Sequence, residues 1–218
     1  MLEITHKEKY VNDELLGRII SYIDQRNDDF IGGPIVDKSN NSSSLGMEGC
    51  SDRPLRLEDA DNPMHELILK LKNDMGDFYI HTGSIRYMYF PYGPHTDIRS
   101  SEDMLEQRKK YKNGYTFLIP LRWKSGYVPG TAFFDSPPKE DQTLMVEQQE
   151  VLPKLQKATA SKNFGVRKLI TWKNPGDLVA WMNYQYHCSM LGGDWTYNQK
   201  EWCKEFISLE TYRVRRSF

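Results

Sequence analysis

Between residues 11 and 25 the apolar side chains Leu15, Leu16, Ile19, Ile20 and Ile23 recur at steps of three and four. A helix gathers such positions into one stripe, so the spacing predicts an amphipathic helix with that stripe on a core. From 26 to 62 the pattern stops. Gly, Ser, Asn, Asp and Pro take over there, including the polar run at 38–45. So long a stretch without periodicity is unusual inside a packed domain. It reads either as a substrate-facing loop or as an unstructured segment. Helical spacing returns at 64–71, where Asn62 or Asp61 can cap the start and Gly76 the end.

Beyond Gly76 the chain reads as strands. The segments 78–82, 84–90, 115–123, 131–134, 167–172, 178–182 and 204–213 are short and rich in aromatic and β-branched residues. Turn residues separate them at Gly83 and over 91–94, 126–130, 174–177 and 192–194. Two charged segments interrupt the series. Residues 101–112 read as a solvated helix, acidic first and basic last as the helix dipole favours. Residues 140–161 read as a helical or mixed insertion broken at Pro153. Many short strands with helices at the front predict a mainly β fold with flanking helices, a sandwich or open barrel.

Composition narrows the class. A chain of 218 residues is the length of one domain. Its expected parts are helices and a long loop over 1–76, then a β core over 77–214 with insertions near 99–114 and 137–165. Lys and Arg number 29 against 30 acidic residues, a net charge of -1, which provides no general field for nucleic acid or an anionic membrane. The run Arg108-Lys109-Lys110 with Lys112 reads as a solvated helix face, so nucleic acid is not an expected partner. Cys50, Cys188 and Cys203 form no CxxC unit, which favours a reducing compartment. With no apolar segment behind Met1 and no long apolar run, the expectation is a cytoplasmic protein without a membrane span. Dinucleotide, P-loop and nucleophile-elbow motifs are absent from the sequence.

The segment that carries chemistry is Tyr92-Gly93-Pro94-His95-Thr96-Asp97. His95 and Asp97 are two residues apart, so on extended backbone both side chains point the same way. One more histidine would complete a face of two imidazoles and one carboxylate, the donor set that suits Fe(II) and leaves three positions of an octahedral ion open. Of the other histidines, His6 lies in a terminus expected to fray and His65 opens a helix ahead of the strands. His187 follows a Pro175-Gly176-Asp177 turn and a buried strand, the kind of place where a distal ligand sits at a sheet rim.

At this point the sequence resembles the Fe(II)- and 2-oxoglutarate-dependent oxygenases, and within them the small prolyl-4-hydroxylase-like members. The resemblance rests on Arg86-Tyr87 through Tyr92-Gly93-Pro94 leading to His95 and Asp97, and on the strand at 116–121. It continues through Gly130-Thr131-Ala132-Phe133 and the Pro175-Gly176-Asp177 turn before His187, covering residues 78 to 213. It implies a double-stranded β-helix (jelly roll, cupin-like) with Fe(II) on His95, Asp97 and His187. It also implies 2-oxoglutarate as cosubstrate, O2 as oxidant, and hydroxylation of a peptide residue, amino acid or small metabolite with release of succinate and CO2. In this family a basic residue at the start of the last core strand binds the far carboxylate of 2-oxoglutarate, a group costly to bury unpaired. The usual place of that residue is held here by Tyr197, which shifts the role to Lys204, with Lys200 second. Tyr87, Tyr89, Tyr92 and Thr116 are candidate hydrogen-bond donors to the same cosubstrate. Arg99 is a candidate contact on the substrate side.

Two other classes use the same fold. A non-oxidative metal cupin, an isomerase or lyase, would keep the three ligands and need no anchor near Lys204. A jelly-roll binding protein would need neither metal nor charge in the barrel mouth. Trp181, Phe133 and Phe117 are expected in the core, and Cys188 as a small apolar filler. The oligomeric state is not written in the sequence.

Overall fold

The computed structural model describes residues 4–26, 50–88, 97, 111–134, 166–189 and 202–214. Helix α1 (Asp13–Asp24) begins where the Asn12 side chain accepts a hydrogen bond from the Leu15 amide at 2.8 Å, with Asp13 and Glu14 in the first turn. Its stripe of Leu15, Leu16, Ile19 and Ile23 is buried as the spacing requires. Helix α2 (Met64–Met75) starts beside Asn62, whose Oδ1 accepts from the Met64 amide at 2.9 Å. It ends on Gly76 at φ 83°, a conformation that only glycine adopts without strain.

The strands are β1 (Thr5–Lys7), β2 (Cys50–Pro54), β3 (Tyr79–Met88), β4 (Tyr111–Trp123), β5 (Gly130–Phe134), β6 (Val166–Thr171), β7 (Leu178–Met182), β8 (His187–Ser189) and β9 (Lys204–Val214). They make a six-stranded sheet in the order β1-β7-β4-β9-β3-β2 and a three-stranded sheet in the order β6-β5-β8. Every pairing is antiparallel.

Alternation along the strands assigns the two faces of the large sheet. Phe117, Ile119, Ile207 and Leu209 join Leu15, Ile19, Leu67 and Leu71 in a core under the helices. Their neighbours Leu118, Val179, Trp181 and Phe206 join Phe133 and Ile170 of the small sheet in a second core. The layers are therefore helices, large sheet and small sheet, and any cleft between the sheets draws on the second set of residues. Among the described residues no strand pairs across from one sheet to the other. No described helix is long and apolar enough to cross a membrane.

The structure corrects several expectations. The predicted strands 78–82 and 84–90 are one strand, β3, irregular between Ile80 and Thr82. Gly83 is not a turn but a point of close approach, where a Cβ would stand 2.5 Å from Leu55 Cδ1. The segment 26–62 holds an edge strand, β2, ending in a proline as edge strands tolerate. His6 is not in a frayed end, because β1 pairs Thr5 to Lys7 with Ala180 to Leu178. The predicted helix over 101–112 meets β4 at Tyr111 and Lys112; its remainder, and 140–161, lie outside the described residues.

Asp177 ties that first strand down. Its buried carboxylate accepts from the Lys9 amide at 2.8 Å, the Lys173 amide at 3.0 Å and the Asn174 amide at 3.1 Å, with His6 Nε2 at 3.4 Å. Desolvation, the largest single influence, pushes its pKa up. The three backbone donors and His6 together pull it lower, and the net direction is below the ordinary carboxylate range. A depressed native pKa means stability that is present above the unfolded value and lost as pH falls through the native one, here below about pH 4. Asp177→Ala, which removes a buried charged acceptor from several part-buried donors, is expected to cost about 3 kcal/mol in urea unfolding at pH 7. That cost should shrink in the same assay as pH drops below about 4.

Candidate functional site

Between the two sheets lies a cleft of about 410 Å³, open mouth included, lined among others by Arg86, Asp97, Thr116, Trp181, His187 and Lys204. Asp97 is docked against the end of β7, its amide donating to the Asn183 carbonyl at 3.0 Å. One carboxylate oxygen, Oδ2, accepts from Thr116 Oγ1 at 2.6 Å and from Trp181 Nε1 at 2.9 Å. Thr116 has one proton to give, and the longer 3.0 Å contact with Asn183 Oδ1 competes for it. Asn183 itself sits close because Gly114 lacks a side chain: a Cβ there would stand 2.4 Å from Asn183 Nδ2 and 2.8 Å from the Thr211 carbonyl.

The other oxygen, Oδ1, lies 3.6 Å from His187 Nε2. Strand β8 positions His187 through pairing with Phe133 on β5. Its Nδ1 is 2.9 Å from the Gln185 carbonyl, and a carbonyl can only accept. The proton of the neutral ring is therefore on Nδ1, and the Nε2 lone pair faces Asp97. The Trp181 ring packs 4.6 Å from the imidazole. Lys204, the first residue of β9, is 2 % exposed, with Nζ 3.0 Å from Ser189 Oγ. The ammonium lies 4.5 Å from the centre of the Trp172 ring and 5.5 Å from that of Phe206.

The structure thus gathers Asp97, His187, Thr116 and Lys204 around one cleft. His95, Tyr89, Tyr92, Arg99 and Lys200 lie outside the described residues. Tyr87 is corrected: it points to the helix side of the large sheet, edge-on to Trp202 at 5.9 Å, while Arg86 and Met88 face the cleft. Thr116 is on the right face, but its hydroxyl donates to Asp97. Sequence reasoning missed Asn183 and Arg86, and it gave Trp181 only a core role. Trp181 is buried at 2 %, yet its N–H needs an acceptor, and that need is the signal that it does more than pack. Among the described residues no group of three or more His, Cys, Asp or Glu side chains is arranged to hold a metal.

Cys188 and Cys203 flank the Lys204 end of the cleft and are free and buried. Burial pushes the Cys188 thiol up to about 12 and the Cys203 thiol up to about 11, against an opposing pull from the Lys204 charge. Thiolate is the reactive form, so both should resist iodoacetamide at pH 8 in the folded protein and react on unfolding. Peptide mapping of the alkylated chain checks this.

The fold is similar to those of two solved enzymes, a hydroxylase and an epimerase. A prolyl hydroxylase from Trichoplax adhaerens, solved with a peptide fragment of the hypoxia inducible factor oxygen degradation domain, superimposes with a TM-score of 0.51 at 10% identity, over 97% of this chain and 83% of that one. The non-heme alpha ketoglutarate dependent epimerase SnoN from nogalamycin biosynthesis gives a TM-score of 0.54 at 10% identity, over 96% of this chain and 78% of its own. At such identity the likeness is one of fold. A hydroxylase and an epimerase match alike, so the finer resemblance to prolyl hydroxylases is not singled out. No protein-family model and no curated protein matches the sequence.

Proposed function

We propose that this chain is an Fe(II)- and 2-oxoglutarate-dependent dioxygenase, one double-stranded β-helix domain acting on a peptide residue, amino acid or small metabolite in the cytoplasm. The observation that carries the reading is the approach of Asp97 Oδ1 to His187 Nε2 at 3.6 Å in a cleft that also buries the Lys204 ammonium. Two donors of one ion, each about 2.1 Å from it and at right angles, stand about 3 Å apart, so the pair is close to what a divalent metal needs. The imidazole Nε2 and the carboxylate Oδ1 are the right donor chemistry, and His95 would supply the third ligand.

When bound, iron and 2-oxoglutarate supply the oxidation of a substrate C–H bond by O2, with succinate and CO2 released. The chain's own part is positional. The Gln185 carbonyl holds the His187 tautomer, and a hydrogen bond of this second kind is what orients a metal-ligating imidazole. Lys204 offsets the far carboxylate of the cosubstrate in a site where an unpaired charge would be costly; Lys200 is the second choice. Phe133 and Trp181 wall the imidazole and keep water from that side.

Anaerobic titration of the metal-free protein with Fe(II) and then 2-oxoglutarate tests the reading through the weak visible charge-transfer band of the chelate. The band should form, and succinate should follow on admitting O2 with substrate. Iron binding without the band would leave a non-oxidative metal cupin. Failure to bind iron would leave a jelly-roll binding protein. The oxygen count of the product, by mass spectrometry, separates hydroxylation from chemistry of the kind named for the epimerase.

A further inference from the structure

Three polar residues stand together on the cleft face of the large sheet, among apolar neighbours such as Leu118, Val179 and Phe206. Ser84 and Ser208 are direct cross-strand partners on the interior strands β3 and β9, and Arg86 is the next residue along that face of β3. Arg86 and Ser208 line the cleft. Ser84 is 7 % exposed, and its Oγ is buried with no hydrogen-bond partner among the described residues. A buried hydroxyl in that state costs stability, so its presence beside a cationic cleft wall points to a partner that arrives from outside.

The charged side chains on the described lining are Arg86, Lys204 and Asp97. Lys204 stands across from Met88, one step further along the face than Arg86, and the proposed function gives it the far carboxylate of the cosubstrate. Asp97 is held over β4 and β7 by Thr116 and Trp181. Strand β3 is two places from β4 in the sheet, a separation of about 10 Å that a small molecule a few bonds long spans.

We infer that Arg86, Ser84 and Ser208 form a second anion seat in the cleft, and that the molecule oxidised there carries a carboxylate. The seat is read from the sheet face; that its occupant is the substrate rests on the oxygenase reading, in which Lys204 already takes the cosubstrate. A guanidinium presents parallel N–H groups that match the two oxygens of a carboxylate, and each serine adds one donor. Backbone amides of a sheet lie in its plane and not on its face, so the seat lacks the amide cradle that phosphate favours. The substrate class is thereby narrowed to an amino acid or other small carboxylic acid, in place of a residue within a peptide.

Acetate is the probe, followed at the Arg86 Nε–H signal in NMR spectra of the isotope-labelled full chain. Loss of that signal in Arg86→Lys assigns it. Titrations are run on the metal-free chain and again with Zn(II) and saturating 2-oxoglutarate. Acetate is expected to move the signal in both states, and at lower concentration than inorganic phosphate does. Ser84→Ala and Ser208→Ala are each expected to weaken acetate binding about 10-fold, as losing a hydrogen bond to a charged group does. Ser84→Ala should at the same time raise the Tm of the ligand-free chain by about 2–4 °C, because it removes an unsatisfied buried group. A serine with a purely structural role would not give that pair of results.

A signal that acetate leaves unmoved, or that phosphate moves at lower concentration, would overturn the inference. So would acetate shifts that vanish once 2-oxoglutarate is bound, which would give Arg86 to the cosubstrate. If Fe(II) and 2-oxoglutarate form no charge-transfer band, the oxygenase reading fails by itself and takes the substrate role with it, while the metal-free titration still decides the seat. Should Arg86→Lys not fold, calorimetry of acetate binding to the two serine variants decides.

Discussion

Asp97→Ala is expected to cut 2-oxoglutarate-dependent succinate release at least about 100-fold, beyond the loss that an outer-shell change brings. Asp97 is the described carboxylate that reaches His187, with Oδ1 3.6 Å from Nε2, so under the proposed function the substitution would remove a metal ligand itself. It also strips the acceptor from the Trp181 N–H, costing about 1–3 kcal/mol if left dry, while the Thr116 hydroxyl can turn to Asn183 Oδ1 at 3.0 Å. The cleft is open at its mouth, so water can take up part of that loss and the fold should survive. Asp97→Asn gives the sharper contrast. Its amide oxygen can still accept from Thr116 and Trp181, while an NH2 group replaces the anionic oxygen toward His187. Near-normal thermal stability with lost Fe(II) binding is the expected pair of results for Asn. Full iron occupancy with substantial activity in either variant would remove Asp97 from the site.

The strength of that prediction reflects what was legible in the sequence. Strand β7 could be read directly, because five consecutive buried residues bounded by a turn admit little else. The same property hid the role of Trp181, since a strand buried on both faces shows no alternation to say which side a residue serves. Tyr87 failed for a related reason. Parity separates Arg86 from Tyr87, but both faces of β3 are covered from Ser84 to Met88, so the alternation does not say which face is the cleft. Strands β1 and β2 are held by partners far away in sequence, β7 for one and β3 for the other, so neither carries a local period. Asn183 sits in a turn where no spacing rule applies; it matters because Gly114 lets it approach. Contacts of this kind belong to the fold and are legible only there.

Lys204→Met is expected to raise the KM for 2-oxoglutarate about 30-fold or more, with a much smaller change in kcat at saturation. Losing the charged partner of a buried carboxylate typically costs about 2–5 kcal/mol, and 2 kcal/mol corresponds to roughly a 30-fold change in affinity. The fold should tolerate the change. Lys204 is enclosed by the Trp172 and Phe206 rings, and methionine keeps an unbranched apolar side chain between them. The substitution also takes away the positive charge that lowers the Cys188 and Cys203 thiols, so both should rise further and become still harder to alkylate. That response reads the loss of charge independently of catalysis. Lys200→Met is the matching comparison, since Lys200 is the other basic residue at this end of the chain with a claim on the carboxylate. An unchanged KM in Lys204→Met, with the large effect appearing in Lys200→Met, would move the anchor to Lys200. An unchanged KM in both would mean that neither lysine binds the cosubstrate.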